Sequence, residues 1–553
     1  MTNDEKTVFA SSRRDFFKLA AAVSASFALD KSRLSLMLPG TEGKDKWPVV
    51  VIGAGLGGLC AAAHLARAGF PVTLVERHDR PGGYATSFER ANGKYEFDVS
   101  LHATASAREA LRAVFEGAGI ADNVETIELP DLCRIITPDY DLTWPQRNPD
   151  AIADQLCGLF PKESGGIKQL FAEILGILDE AMLPFDRDSV QERMAFPTTH
   201  PKMWNIRNKT LGDLMDDYIR DPRLRSIFSS FWGYYGLPPS QLSGFYYAVA
   251  TASYMRYGGH YIINRSQDLS NALMHVIEQA GGKVMLETEA TGISLKDGSI
   301  DAVALSNGSL IPARSVISNA SVPTTMAMLP DEGLPPGVVA YQDRMKSYRP
   351  SLSTFIIWLG LNHELREEIK GYEIFVSKGD DVEKSYEACL ACDSDNVDLA
   401  VTVYDNAYKG YSKPGTSTLS IMTLSGYEPW RRFETDYFTG RKGEYNREKE
   451  RIADIMIEQA ERLVIPGLRS MIEVKEIATP LTNVFFTANP EGAIYGYEQS
   501  MANSYMNRLP IMTPIDGLYC ASAWTSPGGG YQPCLESGRN AAFMVMREFE
   551  NKA

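Results

Sequence analysis

The chain has 553 residues, too many for a single hydrophobic core, so two or three domains are expected. Apolar residues make up 44% and charged residues 23%, the balance of an ordinary globular protein. A net charge of −15 argues against a nucleic-acid partner, because phosphate backbones are gripped by clustered Lys and Arg, and against binding an anionic membrane by charge; no run of roughly 18 apolar residues occurs, so any contact with lipid is expected to be peripheral.

At the N-terminus, Ser12-Arg13-Arg14-Asp15-Phe16-Phe17-Lys18 stands directly before the apolar run Leu19–Leu29. That order reads as a twin-arginine export signal over residues 1–29, which predicts a periplasmic or other extracytoplasmic location. The route carries folded proteins, often already loaded with a cofactor. Residues 30–47 form a polar linker. The seven cysteines are scattered and suggest no disulfide framework. Cys389-Leu390-Ala391-Cys392 lacks the flanks of a redox motif and reads as coincidence. The seven histidines show no metal-ligand spacing, so no metal is expected.

Order begins with Val49–Ile52, a continuous apolar run typical of a buried parallel strand. Gly53-Ala54-Gly55-Leu56-Gly57-Gly58 follows and opens a helix, predicted over Leu59–Ala68 and ended by Gly69. A second strand, Val72–Val75, ends in Glu76. This is the context in which a Gly-rich turn binds a dinucleotide. Gly53 permits the tight turn, Gly55 lets the backbone approach the pyrophosphate, and Gly58 lets helix and strand pack closely. Glu76, 21 residues past Gly55, accepts hydrogen bonds from ribose hydroxyls. No second such unit follows, so a separate nicotinamide domain is not expected.

From about Asp150 to Tyr257 the pattern turns helical and aromatic. Gln169–Leu183 has a helical apolar face, and Phe231, Trp232, Tyr234, Tyr235, Phe245, Tyr246, Tyr247 and Tyr254 crowd a short stretch. Most of these rings are expected to be core, and the remainder to line a large apolar cavity. A helix over Leu269–Ala280 and strands at Lys283–Glu287 and Ile300–Leu305 come next, and Val316–Ala320 returns to the nucleotide sheet. Thr354–Leu361, Ala400–Val403 and Thr416–Met422 suggest a second sheet, followed by a charged helix at Glu444–Leu463. Gly517–Ser522 is a short strand. The turn Pro527-Gly528-Gly529-Gly530 precedes a helix predicted over Cys534–Glu548.

These pieces resemble the FAD-dependent family of phytoene desaturases, carotenoid cis–trans isomerases and all-trans-retinol 13,14-reductases, within the flavin amine oxidase superfamily. The likeness rests on Arg80-Pro81-Gly82-Gly83, on Phe97-Asp98 with His102, on Trp232–Ser240, on Gly258-Gly259 with Tyr261, and on Thr479–Thr482 followed by Gly492–Gly496. It implies an α/β fold: a discontinuous Rossmann-type FAD-binding domain (48–150, 258–330 and 480–553) with an inserted α+β substrate domain (151–257 and 331–479). It implies FAD as cofactor, held by Gly53, Gly55, Gly57, Gly58, Glu76, Arg80, Gly82, Gly83, Trp524, Gly529 and Gly530. The implied activity is desaturation, saturation or isomerisation at C=C bonds of a long apolar polyene or isoprenoid; with no nicotinamide domain expected, a quinone or small redox protein is the expected electron partner. His102, just after the strand that reaches the flavin, is the candidate proton donor, and Tyr495 a candidate wall or hydroxyl donor.

Two departures stand out. Flavin amine oxidases carry Gly-Asp-Trp-Thr where this chain has Ser522-Ala523-Trp524-Thr525, which weighs against the alternative of an amine or amino-acid oxidase. The Pro-x-Gly-Gly expected after Tyr261 is replaced by Ile262-Ile263-Asn264-Arg265.

Overall fold

The computed structural model describes residues 46–104, 109–183, 185, 189–504 and 507–552. The twin-arginine segment and most of the linker lie outside the described residues.

The nucleotide sheet has five parallel strands in the order Leu518–Cys520, Ser315–Ser318, Val49–Ile52, Val72–Val75, Lys283–Met285. All four residues of Val49–Ile52 are buried because both sheet faces are covered. Val49, Val51 and Leu74 face a core shared with the helices Leu56–Arg67, Arg265–Gln279 and Tyr531–Lys552. Val50, Ile52 and Val75 face the opposite way, onto a three-stranded antiparallel sheet through Ile293, Ile300 and Val303. The first helix starts at Leu56, three residues earlier than its periodicity predicts, because the glycines themselves enter the helix.

The second sheet has seven strands in the order Ile472–Ala478, Ser353–Leu361, Ser417–Ser425, Leu399–Val403, Glu373–Val376, Cys133–Ile136, Asp141–Trp144. Its pairings are antiparallel except between Glu373–Val376 and Cys133–Ile136. Alternation again sorts the side chains: Ile374 and Val401 join the core beneath the helix Gly443–Leu463, while Phe375 and Ala400 join the core of the helices Ser164–Ala181 and Gly244–Tyr257. The strands at 133–144 fall within the span assigned by sequence to the nucleotide domain, yet they extend this second sheet. The strands Ala290–Lys296 and Leu310–Pro312 are among those that escape the sequence reading, because so few of their side chains are buried apolar ones.

Candidate active site

The cradle is built where strand Val49–Ile52 turns into helix Leu56–Arg67. Gly53 takes a φ of +90°, which a side chain would strain. A Cβ on Gly58 would sit 2.0 Å from the Gly53 carbonyl oxygen, so the helix comes closer to the turn than any other residue allows. Gly55 caps this helix without any side-chain hydrogen bond, leaving first-turn N–H groups and the positive dipole end for an anion. Glu76 is buried at the end of its strand. Its Oε2 accepts from the Ala54 N–H at 2.7 Å and its Oε1 from the His78 N–H at 2.9 Å. Gly82 N–H donates to the Ala54 carbonyl at 2.7 Å and brings the Gly82-Gly83 turn against the first one.

A cavity of about 770 Å³ starts at this cradle. Gly53, Gly55, Gly57, Glu76, Gly82 and Gly83 line it, as do Trp524, Gly529 and Gly530 across from them. Gly529 lies so near Tyr495 that a Cβ would be 3.0 Å from its Cα, and Trp524 is fixed by its Nε1 donating to Asn489 Oδ1 at 3.2 Å. Gly58 lies beneath the wall, as its packing role requires. These features fit FAD: an uncapped helix end for the pyrophosphate, a prepositioned acid for the ribose, and side-chain-free backbone on both sides.

Arg80 is not on the cavity wall. Its guanidinium, half-exposed, pairs with the neighbouring Asp79 at 3.1 Å and with the Ser87 carbonyl at 3.3 Å.

Beyond the cradle the cavity widens between the two sheets and the inserted helices. Tyr234, Tyr235, Tyr246 and Tyr254 line it with Ile356 and Trp358, whereas Phe231, Phe245 and Tyr247 are core and Trp232 packs behind. Burial raises the Tyr246 and Tyr254 phenols to about 12, so both keep their protons. Tyr495 also lines the cavity, and its hydroxyl donates to the Gly233 carbonyl at 3.3 Å.

His102 is buried on the same wall, 6.0 Å from Tyr234 ring to ring. Its Nδ1 lies 3.0 Å from Glu373 Oε2 and 2.7 Å from Thr402 Oγ1. Burial alone would favour the neutral ring, but the charge and hydrogen bond of Glu373, with Asp98 behind, outweigh it and raise the imidazole above its ordinary value. Glu373 and Thr402 are absent from the sequence reading. The available signal was an acid opening the otherwise apolar strand Glu373-Ile374-Phe375-Val376.

The departing segment after Tyr261 keeps the backbone that glycines would give. Asn264 and Arg265 have φ of +65° and +74°, and Arg265 is buried against Glu96 at 3.1 Å with its guanidinium 4.1 Å over the Tyr411 ring. Residues 262–265 do not line the cavity. Cys389 and Cys392 are free thiols; Cys389 faces Thr423 and Cys392 faces Ser425.

The profile of the family described as flavin containing amine oxidoreductase matches residues 56–546. Prolycopene isomerase 2, chloroplastic, of an Oncidium hybrid cultivar is 26% identical over 529 residues, covering 93% of this chain and 86% of that protein. All-trans-retinol 13,14-reductase of Danio rerio is 25% identical over 496 residues, covering 85% of this chain and 81% of that protein. Among solved structures, cyclohexylamine oxidase from Brevibacterium oxydans shares the fold with a TM-score of 0.59 over 91% of this chain and 100% of that one, at 16% identity. The chain therefore belongs to the flavin containing amine oxidoreductase family and is an FAD-dependent oxidoreductase, with prolycopene isomerases and retinol reductases among its homologues.

Proposed function

We propose that this enzyme acts on carbon–carbon double bonds of a long apolar polyene or isoprenoid, by isomerisation, saturation or desaturation. The observation that carries the reading is the continuity of the cavity: one space of about 770 Å³ runs from the FAD cradle into a chamber walled by tyrosines and aliphatic side chains. The names of the relatives, a prolycopene isomerase and a retinol reductase, support the same substrate class. Burying an apolar chain contributes roughly 25 cal/mol per Å², so such walls bind it without ionic contacts. Bound FAD supplies hydride acceptance and donation at the reacting carbon. The chain's own residues orient the substrate, exclude water, and hold a proton at His102 Nε2, the ring nitrogen left free by Glu373 and Thr402.

The test is mass spectrometry of a polyene mixture incubated with the holoenzyme, once oxidised and once reduced with dithionite. A shifted double-bond geometry, or a gain or loss of two hydrogens, is the expected result. Rapid flavin bleaching by a primary amine, with every polyene unchanged, would overturn it and restore the amine-oxidase alternative.

Export of the folded flavoprotein by the twin-arginine route belongs to this proposal and is supported by Arg13-Arg14 before an apolar run. The double substitution Arg13→Lys with Arg14→Lys then leaves a yellow, folded protein in the cytoplasm; unchanged export in cell fractionation would refute the signal. The absence of a second Gly-rich βαβ unit from the sequence supports a quinone or small redox protein as electron partner.

A further inference from the structure

We propose that Glu373, clamped by Thr402, is a positioning residue that acts through His102, fixing the ring and the tautomer that turns Nε2 into the exchangeable proton site of the chamber. The inference rests on the C=C reading above, and extends it to how the proton is held.

Glu373 and Thr402 are directly opposed across the antiparallel pair Glu373–Val376 and Leu399–Val403. That register makes their contact rigid: Thr402 Oγ1 donates its hydrogen to Glu373 Oε2 at 2.7 Å. With its hydrogen committed, the hydroxyl can only accept from the histidine, and the carboxylate likewise can only accept. Nδ1, at 2.7 and 3.0 Å from these two oxygens, must therefore carry the hydrogen in both charge states. Nε2 makes no hydrogen bond among the described residues and is the atom that gains or gives the proton. The backbone is held as well, since Tyr372 Oη donates to the His102 carbonyl at 2.8 Å.

Charge compensation points the same way. Glu373 is only 3% exposed, the Tyr234 phenol approaches its carboxylate, and His102 is its ion-pair partner among the described residues. A buried carboxylate in that position is costly unless the imidazole beside it is protonated. The titratable groups around the ring are the carboxyls of Glu373, Asp98 and, further back, Asp131, together with the phenols of Tyr234, Tyr372 and Tyr404. The charges acting on His102 are thus acidic, and they favour its cationic form. Saturation of a C=C bond consumes one proton beside the hydride that reduced FAD supplies. Nε2 gives that proton to the second carbon, leaving a neutral Nδ1–H ring that is recharged from solvent.

The decisive measurement is the titration of His102 in FAD-loaded protein labelled with 13C at the histidine Cε1, assigned by loss of its signal in His102→Ala. The wild-type ring is expected to titrate above the ordinary imidazole value. Glu373→Gln should lower that titration by at least one pH unit, a tenfold loss of proton affinity, and Thr402→Val should lower it by less. An unchanged titration in a Glu373→Gln protein that still holds FAD would overturn the proposal. Should that variant fail to fold, an unchanged titration in Thr402→Val would overturn it equally. Coupling seen by this measurement in an enzyme that leaves all polyenes untouched would uphold Glu373 as positioning residue while defeating the substrate reading.

Discussion

Tyr261 Oη donates to Asp98 Oδ2 at 2.7 Å, joining the strand that ends just before His102 to a strand more than 160 residues away. The same carboxylate accepts from the Ser266 N–H at 3.0 Å, the Ser266 hydroxyl at 2.8 Å and the Leu101 N–H at 3.2 Å. Burial pushes the Asp98 carboxyl upward, and these donors oppose that shift. Removing a donor leaves a fully buried acceptor short of a partner, which costs about 1.5–3 kcal/mol when that acceptor is charged. Tyr261→Phe should therefore lower thermal stability by that amount, and Asp98→Asn by more, because it removes the charge and turns an NH2 towards the donors that met one of the two oxygens. A Tyr261→Phe protein melting at the wild-type temperature would contradict this assignment.

Glu76 is held by two backbone N–H groups before any ribose arrives, so its carboxylate is presented in the binding geometry. Glu76→Ala should weaken FAD by about 1–3 kcal/mol, roughly five- to 150-fold, while the apoprotein stays folded. Fluorescence titration of the apoprotein with FAD checks it. Retention equal to wild type would show that the acid does not meet the ribose.

Arg265 combines an unfavourable backbone with a favourable side chain. The left-handed conformation costs a non-glycine residue about 1–2 kcal/mol, and truncating a mostly buried ion pair costs more. Arg265→Ala keeps the strain and loses the pairing with Glu96 and the stacking on Tyr411. Arg265→Gly loses the same contacts but relieves the strain. Both variants should be destabilised, with Gly about 1 kcal/mol better than Ala in denaturant unfolding. Equal stability of the two would rule out strain at this position.

His64 adds an acid-labile element to the nucleotide core. Burial lowers its imidazole from 6.5 to about 4, and its Nδ1–H donates to the Cys60 carbonyl at 2.9 Å. The unfolded chain takes up a proton below about 6.5 and the folded one resists until about 4. The stability linked to this group is therefore complete above 6.5 and is lost as pH falls towards 4, by up to about 3 kcal/mol. Comparing wild type with His64→Leu from pH 7 to 4 isolates it: the wild type should lose more stability over that range. Parallel curves would contradict the shift.

Local signals explain what the sequence reveals. The first βαβ unit is legible because its turn, helix and acid lie within thirty residues, and each glycine has a steric reason to be there. Arg80 illustrates the limit, since its motif suggests a cofactor contact while its guanidinium is paired with the adjacent Asp79 off the cavity wall. Glu373 and Thr402 stand 271 and 300 residues from His102, and no local pattern announces such a meeting. The strands Cys133–Ile136 and Asp141–Trp144, not read from the sequence, show the same limit: they pair with each other, but their place in the second sheet is set by the distant Glu373–Val376. The Asn264-Arg265 turn is legible only in hindsight, because an ion pair and a ring stack compensate for the absent glycines.

The order of the nucleotide sheet has a kinetic consequence. Val49–Ile52 sits at its centre, yet one edge is Lys283–Met285 and the other is Leu518–Cys520. During translation the central strand finds Val72–Val75 at once, but its other neighbour Ser315–Ser318 and both sheet edges are made hundreds of residues later, a high-contact-order assembly that folds slowly and exposes apolar edges meanwhile. Gly57 and Gly538 deepen the dependence, for a Cβ on Gly538 would meet the Gly57 carbonyl oxygen at 2.1 Å, so the last helix seats directly on the first. A ribosome-stalled or truncated chain lacking Leu518–Lys552 thus lacks one wall of the FAD cradle, and cofactor capture reports that synthesis has passed that point.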